Sequence, residues 1–110
     1  MSDEPDFLYL TTTGRVTGRP REIEIWFTSD DGAFYVIAEH GENAQWVRNL
    51  RANPAVAVRV GERRFAARAR VLSPQTDAVL WNAVRVRSEA KYGWGDGLVV
   101  ELAPTPSAQP

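Results

Sequence analysis

Hydrophobic and polar positions along the chain fall into short alternating runs divided by turn-forming residues. Residues 7–12 (FLYLTT) predict a first strand. Residues 21–28 alternate cleanly, with Ile23, Ile25 and Phe27 on one face and Glu22, Glu24 and Trp26 on the other, the period of a half-buried strand. Ser29-Asp30-Asp31-Gly32 carries the Asp-Gly hairpin signature and leads into a third strand at 33–38. Residues 44–52 predict a short helix with Trp46, Asn49 and Leu50 on one face, Asn43 as its N-cap and Asn53-Pro54 as its stop. Strands follow at 55–60 and 63–72, joined by a Gly61-Glu62 turn. In the latter, Phe65, Ala67, Ala69 and Val71 face one way and Arg64, Ala66, Arg68 and Arg70 the other. Ser73-Pro74 predicts a helix start, Ser at the N-cap and Pro at the first helical position. That helix is expected to run to about residue 90 with Val79, Leu80, Ala83 and Val84 on its apolar side. The glycine-rich KYGWGDG and a last strand at 98–102 complete the order β-β-β-α-β-β-α-β.

Six short strands joined mostly by tight turns, with two helices, imply a mainly-β (α+β) domain: a small antiparallel barrel over 7–103. A loose arm is expected at 1–6 and a disordered, Pro-rich tail at 104–110. One short helix cannot cover both ends of such a barrel, and the apolar remainder points to a homodimer.

One connection is longer than a hairpin needs. Thr11-Thr12-Thr13-Gly14-Arg15-Val16-Thr17-Gly18-Arg19-Pro20-Arg21 holds three Arg, four Thr, two Gly and one Pro between two apolar runs. A tight hairpin takes about two to five connecting residues. Glycines here can take φ > 0 and bare their N–H groups. The Arg forks suit phosphate or carboxylate. The alternatives are a solvated turn and a cradle for the anionic end of a ligand. No strand–Gly-loop–helix unit is present, so this is neither a P-loop nor a dinucleotide fingerprint.

Composition narrows the classes. The chain has 110 residues and a net charge of −1, so no global field draws it to nucleic acid or membrane. There is no Cys and one His, which removes disulfide and thiolate chemistry and makes a metal site improbable. No apolar run approaches ~18 residues and no signal peptide is evident, so a soluble, cytoplasmic protein is expected. Trp46 reads as core packing whose ring helps wall a pocket. Asn49, on the same face, needs a partner if buried, either backbone or ligand. Trp26 fits a dimer interface or a cleft wall. His40 fits a surface loop, a phosphate contact or a proton donor. The Arg64/Arg68/Arg70 row reads as a solvated strand face paired with Glu22 or Glu24, since no aromatics interleave it as in nucleic-acid grooves.

Two motifs then resemble those of the deazaflavin-dependent nitroreductase and quinone reductase family. One is the run from Leu10 through Thr11-Thr12-Thr13-Gly14-Arg15-Val16-Thr17-Gly18-Arg19-Pro20 to Arg21. The other is Trp46-Val47-Arg48-Asn49-Leu50-Arg51-Ala52-Asn53-Pro54 with the valine-rich strand after it. The similarity covers roughly residues 7–104. It implies a split β-barrel related to FMN-binding pyridoxamine-phosphate oxidases, and coenzyme F420 as cofactor. Phosphate and tail contacts then fall on Arg15, Val16, Thr17, Gly18 and Arg21. Ala38, Glu39, His40 and Gly41 lie along the deazaflavin and its phosphate, and Trp46 and Asn49 match family positions. His40 stands where relatives often have Lys, and Glu39 where Ser or Asn is common. Trp26 takes the place of an active-site Tyr, and Tyr92 and Trp94 lie in a region that supplies substrate-facing aromatics. The segment between Gly41 and Trp46 is shorter than in relatives, and a lid built from an N-terminal extension is not expected. The implied reaction is hydride transfer from the reduced coenzyme to a quinone, nitro or enone acceptor. Trp26, Tyr92 and His40 are the catalytic candidates, with Tyr92, His40 or solvent giving the proton. The alternatives are an FMN-binding oxidoreductase of the same fold and a non-catalytic cofactor-binding dimer.

Overall fold

The expected single strand over residues 21–28 is two strands. In the computed structural model, which describes residues 4–105, the elements are β1 Phe7–Thr13, β2 Pro20–Trp26, β3 Thr28–Asp30, β4 Ala33–Ala38, α1 Gln45–Ala52, β5 Ala55–Val60, β6 Arg63–Val71, α2 Ala78–Tyr92 and β7 Leu98–Pro104. They form one antiparallel seven-stranded sheet in the order β2-β1-β5-β6-β7-β4-β3. β2 and β3 therefore lie at opposite ends of the sheet, yet only Phe27 separates them in the chain. The sheet must curl until its two edges meet, which makes it a barrel.

The closure is incomplete. β3 pairs with β4 only at residues 33–35, and residues 36–38 of β4 pair with β7 alone. β2 turns away from β4 to pair with β1. A split is left between Ile25 and Trp26 on one side and Ile37 and Ala38 on the other.

Phe27 is 2% exposed, so its backbone needs partners that no ladder supplies. Side chains from the end of α2 provide them. The Phe27 N–H donates to the Tyr92 hydroxyl (3.0 Å), and its carbonyl accepts from Lys91 Nζ (2.9 Å). The Tyr92 hydroxyl lies 2.7 Å from the Asp6 carbonyl and 2.8 Å from the Phe27 carbonyl and shares its proton between them. Lys91 Nζ also donates to the Glu4 carboxylate (2.7 Å) and the Pro5 carbonyl (2.9 Å) and sits 4.0 Å over the Phe27 ring. Residues 4–6 are accordingly strapped down rather than loose. Residues 1–3 and 106–110, parts of the expected arm and tail, lie outside the described residues.

The main core fills the barrel with inward residues of alternating strands, among them Leu8, Leu10, Val36, Val58, Val100 and Leu102, and Leu50 of α1 closes one end. A second cluster (Tyr35, Ile37, Leu72, Val84, Val99) joins the outer face of β4 and β7 to α2. Both faces of β4 are thus covered, which is why its sequence does not alternate. The Asp31-Gly32 turn has positive φ at both residues (53° and 83°), as a two-residue hairpin requires.

Other expectations shift locally. Asn43 ends a 3-10 turn, Gly41–Asn43, and Ala44 takes the N-cap of α1 without a side-chain cap. The turn is fastened instead by Arg51, which forms a fork with the Glu42 carboxylate, and by Arg48 on the Glu42 carbonyl (3.1 Å). Ser73 caps a separate turn through the Gln75 and Thr76 N–H groups, so α2 starts at Ala78 and ends at Gly93 in the left-handed conformation. Val79 is 87% exposed because the face of α2 that packs on the sheet is the one carrying Leu80, Trp81, Val84 and Ser88. Arg70 pairs with Glu101 and Asp77, not with Glu22 or Glu24, since β6 lies beside β7 rather than β2. Ala103 and Pro104 extend β7 opposite Arg68 and Ala67.

Tyr92→Phe keeps the ring but leaves the buried Phe27 N–H unpaired, and should lower unfolding free energy by about 1–3 kcal/mol. Urea unfolding at neutral pH measures it, and an unchanged midpoint would show that the hydroxyl does not hold the strand break.

Candidate functional site

The loop after β1 is organised from within. Gly14 N–H donates to the Arg19 carbonyl and Gly18 N–H to the Gly14 carbonyl, both at 2.8 Å. Arg19 N–H donates to Thr17 Oγ1 (3.2 Å). The glycine N–H groups are therefore used inside the loop and not bared to a ligand. Gly18 takes φ 72°, a conformation costly for any other L residue. Gly14 is packed so that a Cβ would come within 3.0 Å of Thr17 Oγ1 and 3.1 Å of the Arg19 carbonyl.

Asn49 ties this loop to the barrel. It is 5% exposed, and its Oδ1 accepts from the Arg15 N–H (3.2 Å) and from Arg15 Nη1 (2.9 Å). Its Nδ2 donates to Thr12 Oγ1 (3.3 Å), itself buried. The amide of one helix residue thus fixes the start of the loop and the guanidinium of Arg15. Asn49 thus bonds a backbone group, one of the two partners the sequence leaves open for it.

Two clefts meet at Trp46. The first, about 660 Å3, is lined by Arg15, Val16, Thr17, Arg21, Trp46 and Asn49, with Gly14, Pro20, Glu22, Ile23 and Gln45 completing it, so that two Arg face one Glu there. Among the described residues, Arg15, Arg19 and Arg21 form no ion pair with an acidic side chain. Their charges are available to an anion. The second, about 510 Å3, occupies the split between β2 and β4 and is lined by Trp26, Trp46, Trp94, Ala38, Glu39 and His40, with Phe7, Glu24, Ile25, Ile37 and Ala44. Trp46 is half-buried against the main core and lines both.

The aromatic wall is built from the α2 end. The Tyr92 ring stacks on Trp26 with centroids 4.4 Å apart and planes 3° from parallel. Gly93 ends α2, and the chain folds back on it: Ser88 Oγ donates to the Trp94 carbonyl and Arg85 Nε to the Gly95 carbonyl (2.8 Å). This sets the Trp94 ring edge-on to Trp26, 6.2 Å between centroids. A Cβ at Gly97 would run into the Ala38 carbonyl, so only glycine lets the chain pass this close to the end of β4.

The structure thus gathers eleven of the site residues singled out in sequence into these two clefts, Trp94 among them, and leaves Gly18, Gly41 and Tyr92 outside both linings. Gly18 and Gly41 (φ 56°) shape the backbone nearby, and Tyr92 stands behind Trp26 with its hydroxyl already engaged. Gln45, Phe7 and Glu24 were not foreseen. Gln45 was legible as the neighbour of Trp46, whereas Phe7 and Glu24 enter only because β2 parts from β4. Glu24 accepts the Tyr9 hydroxyl at 2.7 Å, and this bond raises the phenol above its ordinary pKa. Among the described residues no group of three or more His, Cys, Asp or Glu side chains is placed to hold a metal ion, and no helix is long and apolar enough to cross a membrane.

The profile of the family described as F420H(2)-dependent quinone reductase matches residues 2–96. The chain belongs to this family. A relative named F420H(2)-dependent quinone reductase from Mycobacterium tuberculosis is 33% identical over 93 residues, 80% of this chain and 62% of that protein. The chain therefore spans less than two thirds of that relative's length. Among solved structures, the haem-storage protein HutZ of Vibrio cholerae superposes with a TM-score of 0.75 at 22% identity, over 93% of this chain and 83% of that one. A structure described as an F420-H2 dependent reductase, FDR-A, gives 0.66 at 22% identity, over 88% and 93%. A Mesorhizobium loti protein described as FAD-binding gives 0.69 at 18% identity, over 93% and 83%. These likenesses establish the split β-barrel. Their names differ in ligand, so the barrel alone does not choose one.

Replacing Asn49 with Leu keeps the branched side-chain skeleton but strands the Arg15 N–H and Thr12 hydroxyl, so stability should fall by about 1–3 kcal/mol. Amide exchange at Arg15 should speed up in the same variant. Arg21→Ala, exposed at the start of β2, should stay within about 0.5 kcal/mol of the parent. Equal effects of the two would remove the tie assigned to Asn49.

Proposed function

We propose that the two clefts form one groove for coenzyme F420, and that the protein is an F420H2-dependent reductase passing a hydride to a quinone, nitro or enone acceptor. The observation that carries this is the meeting of a cationic cleft and an aromatic cleft at Trp46. A planar ring with a phosphate-bearing tail needs that combination, and the residues present fit it. Arg15 and Arg21 would hold the phosphate, with the Val16–Thr17 backbone and Gln45 beside it. Trp46, Ala38 and the split between β2 and β4 would receive the ring. Reduced deazaflavin, when bound, supplies the hydride.

The chain's own part is placement and exclusion of water. Asn49 pre-sets Arg15, so its ordering is complete before the ligand arrives. Trp26, held by Tyr92, forms the wall against which a flat acceptor stacks. His40, its side chain 78% exposed at the rim, or solvent would give the accompanying proton. Tyr92 acts through Trp26 as a positioning residue, because its hydroxyl already serves the strand break. The same reading includes a homodimer, supported by the outward face of β1, β5 and β6 (Tyr9, Thr11, Ala57, Ala66), which neither helix covers; a monomer mass by light scattering would remove that part.

Fluorescence titration with the oxidised coenzyme tests the reading. The wild type should bind in the micromolar range. One charge-assisted contact is worth about 1.5–3 kcal/mol, so Arg15→Ala and Arg21→Ala should each weaken binding roughly 10- to 100-fold with circular dichroism unchanged. Failure of the wild type to bind, or tight binding of FMN in its place, would overturn the proposal.

A further inference from the structure

We infer that the aromatic cleft selects its electron acceptor by charge, admitting neutral and cationic planar aromatics and turning away anionic ones. This rests on the reductase reading and names the acceptor class within it.

The charged side chains lining the cleft are Glu24, Glu39 and His40. Glu39 is 71% exposed on its side chain and has His40 Nε2 at 3.9 Å. Glu24 takes the Tyr9 hydroxyl, and no basic side chain among the described residues lies within ion-pair distance of it. The walls are Trp26, Trp46 and Trp94, whose ring faces carry negative quadrupole charge and attract cations. Two carboxylates outweigh one imidazole even when it is protonated, so the rim is net negative. The basic residues Arg15 and Arg21 lie in the other cleft, beyond Trp46. An anionic group is drawn to that side and repelled on this one. The arrangement gives the groove a polarity: the anionic tail of a coenzyme has one favourable end, and an acceptor entering the other is sorted by its substituents.

The size of the effect follows from Coulomb's law. Each exposed carboxylate about 7 Å from a unit charge in low salt changes affinity roughly threefold. Two carboxylates together give roughly tenfold between a neutral and a singly charged ligand, and roughly 50- to 100-fold between otherwise equal anionic and cationic ones at low salt.

The test uses coenzyme-free protein carrying Arg15→Ala and Arg21→Ala, which disables the anion-drawing cleft that Trp46 also lines, and three probes: naphthoquinone, a naphthoquinone sulfonate and a trimethylammonium-substituted naphthoquinone, followed by quenching of tryptophan fluorescence. The affinity order should be cationic, then neutral, then anionic, and the spread should shrink as salt is raised to molar strength. The Glu24→Gln/Glu39→Gln double variant should compress the spread, while Glu62→Gln on the β5–β6 turn should keep it. Equal or tighter binding of the sulfonate, an unchanged order in the double variant, or no binding of any probe at millimolar concentration would overturn the inference. No coenzyme enters this assay, so a failure of the reductase reading leaves it interpretable. Conversely, loaded protein that reduces the sulfonate as efficiently as the neutral quinone would overturn charge selection and leave the reductase reading standing.

Discussion

The break at Phe27 is the constraint on which the rest of the structure depends. A strand cannot belong to both ends of a sheet without leaving the ladder at some residue, and there its backbone must find other partners. Here the partners are the Tyr92 hydroxyl and the Lys91 ammonium, from the last turn of α2. Held this way, β2 goes to β1 and β3 goes to β4, and the gap between them becomes a cleft rather than a continuous sheet. The same two side chains fasten residues 4–6 and set the ring on which Trp26 stacks. Fold, cleft and cleft wall therefore share one set of hydrogen bonds.

The second clamp is Asn49. An amide that is almost fully buried accepts twice from Arg15 and donates to Thr12, so a loop that would otherwise be a flexible, charged hairpin is fixed to the helix that closes the barrel. This explains physically why an Arg/Gly loop and a Trp/Asn helix occur together: one presents charge, the other orients it. Because Trp46 sits one helical turn before Asn49, the same helix that positions the cation also divides the two clefts.

Much of this was legible in the sequence where a single local rule decides. Alternation placed the strands, Asp31-Gly32 placed the hairpin, and the length of the Arg loop marked it as longer than a tight turn. The misses arise where long-range partners decide. The alternation of Ile23, Ile25 and Phe27 continues unbroken through residue 27, so nothing local signals that the sheet changes there; the signal is Lys91 and Tyr92, more than sixty residues away. Tyr92 looked like a substrate-facing aromatic for the same reason, since a phenol that satisfies a strand break and one that faces a ligand are indistinguishable in sequence. Asn43 lost the N-cap because Arg48 and Arg51 fold the preceding turn back onto Glu42. Arg70 found Glu101 and Asp77 because strand order, not strand pattern, sets cross-strand neighbours.

The central claim is that the cationic cleft and the split between β2 and β4 are one groove that holds a single ligand. The most direct measurement is amide and indole chemical-shift mapping during titration with oxidised coenzyme F420. The account predicts simultaneous, saturable shifts at residues 15–21 and at Ala38, Trp26 and Trp46, described by one dissociation constant. Shifts confined to one cleft, or centred on the outward Arg64 and Arg68 face, would contradict it.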